Sequence, residues 1–291
     1  MQNKVGNENF INSTMKNNNI KAKKKFGQNF LKNPKILNDI VDKSECDKDT
    51  LVIEIGPGLG SLTEVICEKA GFVLAYEIDN DLIPILNKNL ERFNNYKIIN
   101  EDILNVDINK DIELYKNNLS KIYLIANLPY YITTPIILGL LSKTNLITRY
   151  VMMMQKEVAD RLTSKPKTKD YAAITLAIQY RGSAKTIINV DRHSFIPEPN
   201  VDSSVIRLDL YNEKKYFPKN EDLFFEITKL AFNQRRKTLI NNFSTKYEKE
   251  FITKMLNDFN IKIQVRAEEL DILDFIKISD YINERKGDWY A

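Results

Sequence analysis

One histidine and two cysteines are all that 291 residues offer of the side chains that most often hold metals or carry redox chemistry. Cys46 and Cys67 cannot supply a disulfide framework, and with His193 alone they form no cluster at metal-ligand spacing, so no metal is expected. Buried, inert thiols are the better reading. A single histidine also excludes mechanisms that need two, and nothing beside His193 resembles a nucleophile that it would activate, which leaves it a solvated or structural role. No apolar run reaches the roughly 18 residues of a membrane span. The first 25 residues lack both the apolar centre of a secretory signal and the arginines of a transit peptide. A cytoplasmic protein with no membrane partner is expected.

What is present fits a soluble globular chain, with 43% hydrophobic and 28% charged residues. Its length suggests two domains, or one with an appendage, on a prior of roughly 100 to 200 residues each. The net charge of +4 is unevenly placed: six lysines and one glutamate give residues 1–25 a charge of +5, leaving −1 for the remainder. The Asn-rich stretch before residue 21 reads as a solvated, disordered tail. Lys23, Lys24 and Lys25 differ, because "KAKKK" abuts the apolar anchor "FGQNFL", an arrangement suited to holding a phosphate backbone.

From residue 51 short β-rich runs alternate with amphipathic stretches of helical length. "LVIEI", "FVLAY", "YKII", "KIYLIA" and "RYVMMM" read as strands, and such alternation predicts a parallel sheet covered on both faces. "AKTIINV" and "SVIRLDL" have no helix between them and suit an antiparallel closing pair. Beyond about residue 219 the periodicity is helical throughout. The expected division is a tail over 1–25, an α/β domain over 26–215 and a helical domain over 216–291.

The first strand runs into "EIGPGLGSLTE", where Gly56, Gly58 and Gly60 precede a helix. Glycines there let the backbone turn with positive φ and let a ligand approach without meeting a Cβ. Ser61 stands where a dinucleotide fingerprint needs Gly or Ala, so the spacing is G-x-G-x-G. Glu77 follows the second strand about 20 residues beyond Gly56, where an acid accepts hydrogen bonds from ribose hydroxyls. Asp102 follows the third, suited to an adenine amino group. Asp79, by contrast, reads as a helix cap. A glycine loop and two acids at three consecutive strand ends predict a nucleoside cofactor.

The fourth strand ends in Asn127-Leu128-Pro129-Tyr130, an odd ending for a strand that only needs to turn. The exocyclic amine of adenine is a poor nucleophile because its lone pair is delocalised into the ring. Acceptors that hold its two hydrogens tilt the nitrogen toward tetrahedral geometry. The Asn127 side-chain oxygen and the Leu128 carbonyl supply such acceptors, Pro129 fixes their direction, and the Tyr130 ring offers a surface for stacking.

Five motifs in order, "FGQNFL" (26–31), "EIGPGLGSLT" (54–63), "NLPY" (127–130), "FIPEPNVDSSV" (195–205) and "AFNQRRKTL" (231–239), carry a family resemblance across nearly the whole chain from Phe26. Together they resemble the ribosomal RNA adenine dimethyltransferases that modify two adjacent adenosines in the 3′-terminal hairpin of small-subunit rRNA. The resemblance implies a Rossmann-like methyltransferase sheet of seven strands, the last antiparallel, followed by a helical domain. It also implies S-adenosylmethionine over the glycine loop, with Asn29, Leu31, Gly56, Glu77, Asp102 and Asn127 around it. Tyr130 and Phe195 are then expected to sandwich the target adenine. The implied partner is the small ribosomal subunit and its rRNA, met by a monomer. Tyr131 departs from the family, which usually has Asn there.

Basic groups elsewhere fit an RNA partner: Arg161, Lys165, Lys167 and Lys169 around one expected loop, and Arg235, Arg236 and Lys237 near a helix end, where cations also favour the helix dipole. A sister enzyme that methylates large-subunit rRNA shares the glycine loop and an Asn-x-Pro-Tyr motif. The C-terminal motifs favour the small-subunit enzyme over it and over a DNA adenine methyltransferase. Intact Glu77, Asp102 and Asn127–Tyr130 argue against a non-catalytic relative that only binds nucleic acid.

Overall fold

Seven apolar runs become the seven strands of one sheet in the computed structural model, which describes residues 5–23 and 26–285. Helix α1 (Glu8–Asn17) and a short strand β1 (Phe30–Leu31) come first. There follow α2 (Pro34–Ser44), β2 (Thr50–Ile55), α3 (Ser61–Lys69), β3 (Phe72–Tyr76), α4 (Ile83–Asn89) and β4 (Tyr96–Ile99). Next are α5 (Ile108–Tyr115), β5 (Lys121–Asn127), α6 (Thr133–Lys143), β6 (Arg149–Gln155), α7 (Lys156–Thr163) and α8 (Ala173–Arg181). The chain ends with β7 (Gly182–Val190), β8 (Phe195–Ile196), β9 (Ser203–Leu210), α9 (Glu221–Ala231), α10 (Leu239–Phe243), α11 (Lys249–Asp258) and α12 (Ile272–Glu284).

The sheet order is β4-β3-β2-β5-β6-β9-β7. Neighbours from β4 to β6 are parallel, and β9 runs antiparallel to β6. All six residues of β2 are buried, as a strand covered on both faces requires, whereas β4 at the sheet edge is half-buried. The order reverses between β2 and β5, because the chain first adds strands on one side of β2 and then returns to the other. That reversal opens a crevice beyond the carboxyl ends of β2 and β5, where open α/β sheets bind ligands.

Contacts divide the chain into two units, Met1–Ala159 with Lys185–Asp209, and Asp160–Ala184 with Leu210–Ala291. The boundary expected near 216 therefore misses a segment: residues 160–184 belong with the helices. Tyr171, Leu176 and Tyr180 share a core with Phe224, Phe243 and Phe275, a partnership that no local pattern announces.

The expected disordered tail is corrected over residues 8–17. There Asn7 caps α1 through a bond from the Asn9 amide, and Ile11, wholly buried, packs with Phe30, Leu59, Leu82 and Ile85. The Val5 amide donates to the Glu64 carboxylate at 2.7 Å, and the Ser61 hydroxyl donates to the Val5 carbonyl at 3.3 Å. Averaged composition hides this, because Ile11, Thr14 and Met15 share one helical face while the asparagines occupy the other. Ile11→Ala is expected to lower the stability of α1 by about 2 to 5 kcal/mol, read as faster amide exchange over residues 8–17. Unchanged exchange would show that the helix stands without that contact.

Candidate functional site

The crevice is built from strand ends that the chain forces into tight turns. Beyond β2, Gly56, Gly58 and Gly60 all have positive φ, and Gly60 stands in the left-handed region as the cap of α3. The Gly56 amide donates to the Tyr76 carbonyl at 2.9 Å, which ties the loop to β3. A Cβ on Gly58 would stand 3.1 Å from the Phe30 ring, whereas one on Gly56 would meet no atom within 4 Å.

Glu77 closes this turn from the next strand. One carboxylate oxygen accepts the Gly58 amide at 3.0 Å and the other the Asp79 amide at 2.9 Å, so it holds the loop. Burial pushes its carboxyl above the ordinary range, and these backbone donors oppose the rise. Asp102 turns the chain beyond β4: its Oδ1 accepts the Leu104 amide at 2.9 Å, and Oδ2 has no donor among the described residues.

At the end of β5 the Asn127 amide nitrogen donates to the Asn29 backbone carbonyl at 3.2 Å. That bond assigns the carboxamide its orientation and leaves Oδ1 with no donor among the described residues. The Leu128 amide donates to the Met153 carbonyl at 3.0 Å, and the Thr133 hydroxyl donates to the Pro129 carbonyl at the same distance. Tyr130 begins a 3₁₀ turn, its hydroxyl 2.7 Å from that of Ser203. Asn29, Leu31, Gly56, Gly58, Glu77, Asp102, Asn127, Leu128, Pro129 and Tyr130 all line this one cavity.

Phe195 does not. Strand β8 pairs with β1, Leu31 opposite Phe195, and the Phe195 ring is 2% exposed in a core with Leu31, Met153 and Val205. The expected sandwich partner of Tyr130 is a packing residue here. Tyr131, 55% exposed, lies at the rim, where a Cβ on Gly27 would stand 3.2 Å from its ring.

The structure also brings in residues that the sequence reading passed over. Phe26, Phe30 and Glu54 line the cavity. Glu54 is 1% exposed, and its Oε2 has no hydrogen-bond partner among the described residues; the Thr63 hydroxyl on α3 has none either. An acid inside the apolar run "LVIEI" was its signal. Asp79 is not the expected helix cap: it accepts bonds from Lys23 Nζ at 2.6 Å and Gln28 Nε2 at 2.8 Å, fastening those two residues beside the loop. Burial would raise its carboxyl, but these two donors and the Asp81 amide outweigh burial and hold it low.

Lys23, which also bonds Asp81, is thus committed within the chain rather than presented to a phosphate. Lys24 and Lys25 lie outside the described residues. In the second unit Lys165, Lys167, Arg235, Arg236 and Lys237 are exposed and carry no ion pair among the described residues, while Arg161 is half-buried on α7. The Arg235–Lys237 turn follows α9 and is braced by Asn242, which is buried and bonds the Ala231 carbonyl and both backbone groups of Gln234. His193 is exposed, its Nδ1 2.8 Å from Glu198. Both cysteines are buried, and burial pushes the Cys67 thiol up to about 12. Among the described residues no helix is long and apolar enough to cross a membrane, and no cluster would hold a metal.

Known proteins resemble this chain in sequence and in fold. A family described as ribosomal RNA adenine dimethylase matches residues 19–284. Ribosomal RNA small subunit methyltransferase A of Lachnoclostridium phytofermentans is 46% identical over 90% of this chain and 92% of its own length. That of Streptococcus mutans is 42% identical over 97% and 98%. Among solved structures, a dimethyladenosine transferase from Plasmodium falciparum superposes with a TM-score of 0.72 at 26% identity, covering 90% of this chain and 99% of that one. The 23S rRNA methyltransferase ErmE, at 23% identity over 88% and 100%, shares the fold with a TM-score of 0.67. With a family match over nearly its whole length and relatives this similar, the chain belongs to the ribosomal RNA adenine dimethylase family.

Proposed function

We propose that the protein transfers methyl groups from S-adenosylmethionine to the exocyclic amines of two adjacent adenosines in the 3′-terminal hairpin of small-subunit rRNA, giving dimethyladenosines. The observation that carries this reading is the Asn127 carboxamide, turned by the Asn29 carbonyl so that its acceptor oxygen is left for a substrate amine at the mouth of the glycine-loop cavity.

The cavity suits the cofactor. Gly56 borders open space, and among the described residues Asp102 Oδ2 and the buried Glu54 Oε2 have no hydrogen-bond partner. Glu77 and Asp102 would hold sugar and base, with Asn29, Leu31, Gly56 and Gly58 shaping the walls. When bound, S-adenosylmethionine supplies a methyl group activated by a sulfonium. The protein's part is to position the acceptor. The Asn127 oxygen and the Leu128 carbonyl take the two amine hydrogens and localise the lone pair, Pro129 keeps those acceptors in register, and Tyr130 stacks on the base. The amine held by these acceptors would shed one proton to water on methylation. No covalent enzyme intermediate is required.

The exposed clusters at Lys165 and Lys167 and at Arg235–Lys237, with Arg161, would meet rRNA phosphates through the second unit of a monomer acting in the cytoplasm. Small subunits lacking the modification, incubated with protein and cofactor, should gain two methyl groups on each of two adjacent adenosines. Modification of large-subunit RNA instead would overturn the assignment. Glu77→Ala should weaken cofactor binding by about 1 to 3 kcal/mol, since it removes a charged acceptor and frees the Gly58 amide. Calorimetry reads this directly, and parental affinity would refute Glu77's role.

A further inference from the structure

The wall of the glycine-loop cavity has an outer layer, and part of that layer comes from the N-terminal segment. Phe30, Leu59 and Leu82 line the cavity and also form one buried cluster with Ile11 of α1. Phe30 is the ring that approaches Gly58, so Ile11 backs the glycine loop through one intervening side chain. Val5 bridges the first turn of α3: its amide donates to the buried Glu64 at 2.7 Å, and its carbonyl accepts the Ser61 hydroxyl at 3.3 Å. Arg92 holds Glu64 in turn at 2.6 Å. A Cβ on Gly6 would stand 2.2 Å from Leu37, another cavity residue, so the backbone there passes directly behind the wall. The family match begins at residue 19, and this layer lies ahead of it.

We propose that residues 5–17 are a positioning element for the cofactor: docked, they hold the glycine loop in its binding shape, so that docking of the segment and binding of S-adenosylmethionine strengthen each other. The inference rests on the cofactor reading of this cavity. Gly56, Gly58 and Gly60 have positive φ and bring no side chains of their own to fix the loop. A loop free to sample other shapes must be ordered on binding, and that cost is subtracted from affinity. Glu77 fixes the Gly58 amide and Asn89 the Leu59 carbonyl, but the Leu59 side chain is buried against Ile11. No residue of the segment lines the cavity, so it acts through Phe30, Leu59 and Ser61. Its attachment is narrow enough to open locally, since Ile11 and Thr14 are the buried residues of the ten in α1. Undocking would bare the backs of Phe30 and Leu59 to water. By linkage, whatever factor the docked segment adds to cofactor affinity, bound cofactor adds to docking.

The full-length protein is to be compared with Ile11→Asp, whose charge in the apolar cluster undocks α1, and with Ile11→Val, which keeps most of the apolar volume. In calorimetric titration with S-adenosylmethionine, I11D should bind about tenfold more weakly than the parent, and I11V within about twofold of it. Methylation by I11D at saturating cofactor should stay near the parental rate, so that the loss falls on the KM for cofactor and not on kcat. Amide exchange over residues 8–17 of the parent should slow on saturation with cofactor by about the factor that separates parent from I11D in affinity. A helix that only packs on the outside gives a different result: I11D would lose stability but keep parental affinity, and exchange over 8–17 would not respond to cofactor. Either observation would overturn the proposal and leave the cofactor reading intact. If I11D does not fold, exchange in the parent with and without cofactor decides alone, and equal rates overturn the proposal. No binding by the parent would remove the cofactor reading and this inference with it.

Discussion

Asn127→Ala should slow single-turnover methylation of unmodified small subunits by about 10²- to 10³-fold, the usual cost of deleting one preorganised contact to a group whose charge develops in the transition state. RNA affinity should stay within a few-fold of the parent. The contact strengthens as the amine leaves the plane of its ring, so its loss falls on turnover and not on binding. The structure adds a control. Asn127 is oriented by the Asn29 backbone carbonyl and not by the Asn29 side chain, whose own nitrogen donates to the Gly27 carbonyl at 3.1 Å. Asn29→Ala should therefore be much milder than Asn127→Ala on turnover. If Asn127→Ala retains rates within a few-fold at saturating substrate, the residue serves the fold alone and the acceptor amine is activated elsewhere.

The pattern of what the sequence discloses has a physical origin. Every expected site residue that lines the cavity sits at or just beyond a strand end, or in the short "FGQNFL" stretch: Gly56, Glu77, Asp102 and Asn127 end four parallel strands whose carboxyl edges must converge once βαβ alternation is recognised. Strands announce themselves through apolar runs, so their ends can be found without knowing any partner. Phe195, Lys23, Ile11 and the 160–184 segment behave differently, because each owes its position to a partner far along the chain. Phe195 is set by Leu31, and Lys23 by Asp79 and Asp81. Ile11 owes its burial to Leu59, Leu82 and Ile85, and Tyr171 owes its own to helices that begin fifty residues later. Local charge made Lys23 look like a phosphate ligand, but the ion pairs that consume that charge lie more than fifty positions away. Glu54 is the intermediate case: an acid in an apolar strand is visible, but only the structure shows that its Oε2 lacks a partner among the described residues.

Phe195 offers the largest effect on stability and the sharpest choice between two roles. Its ring is buried where β1 and β8 pair, so Phe195→Ala should open a cavity and destabilise the first unit by about 3 to 5 kcal/mol in denaturant unfolding. Methylation would fall too, but for the wrong reason if stacking were the question. Phe195→Leu separates the roles, because leucine fills much of the same apolar volume but offers no aromatic face. A packing residue tolerates that change, so Phe195→Leu should regain most of the lost stability and methylate assembled subunits near the parental rate. Tyr130→Ala should show the reverse profile. Tyr130 is half-buried, with its hydroxyl bonded to Ser203, so its loss costs little stability, while the missing stacking surface removes about 1 to 3 kcal/mol from capture of an unstacked base. A target adenine in a hairpin must leave its stack at a cost of a few kcal/mol, and a single aromatic face offsets only part of it. If Phe195→Leu folds as stably as the parent yet loses methylation as fully as Tyr130→Ala, the buried ring must swing out to meet the base, and the two aromatics form a sandwich only when RNA is present.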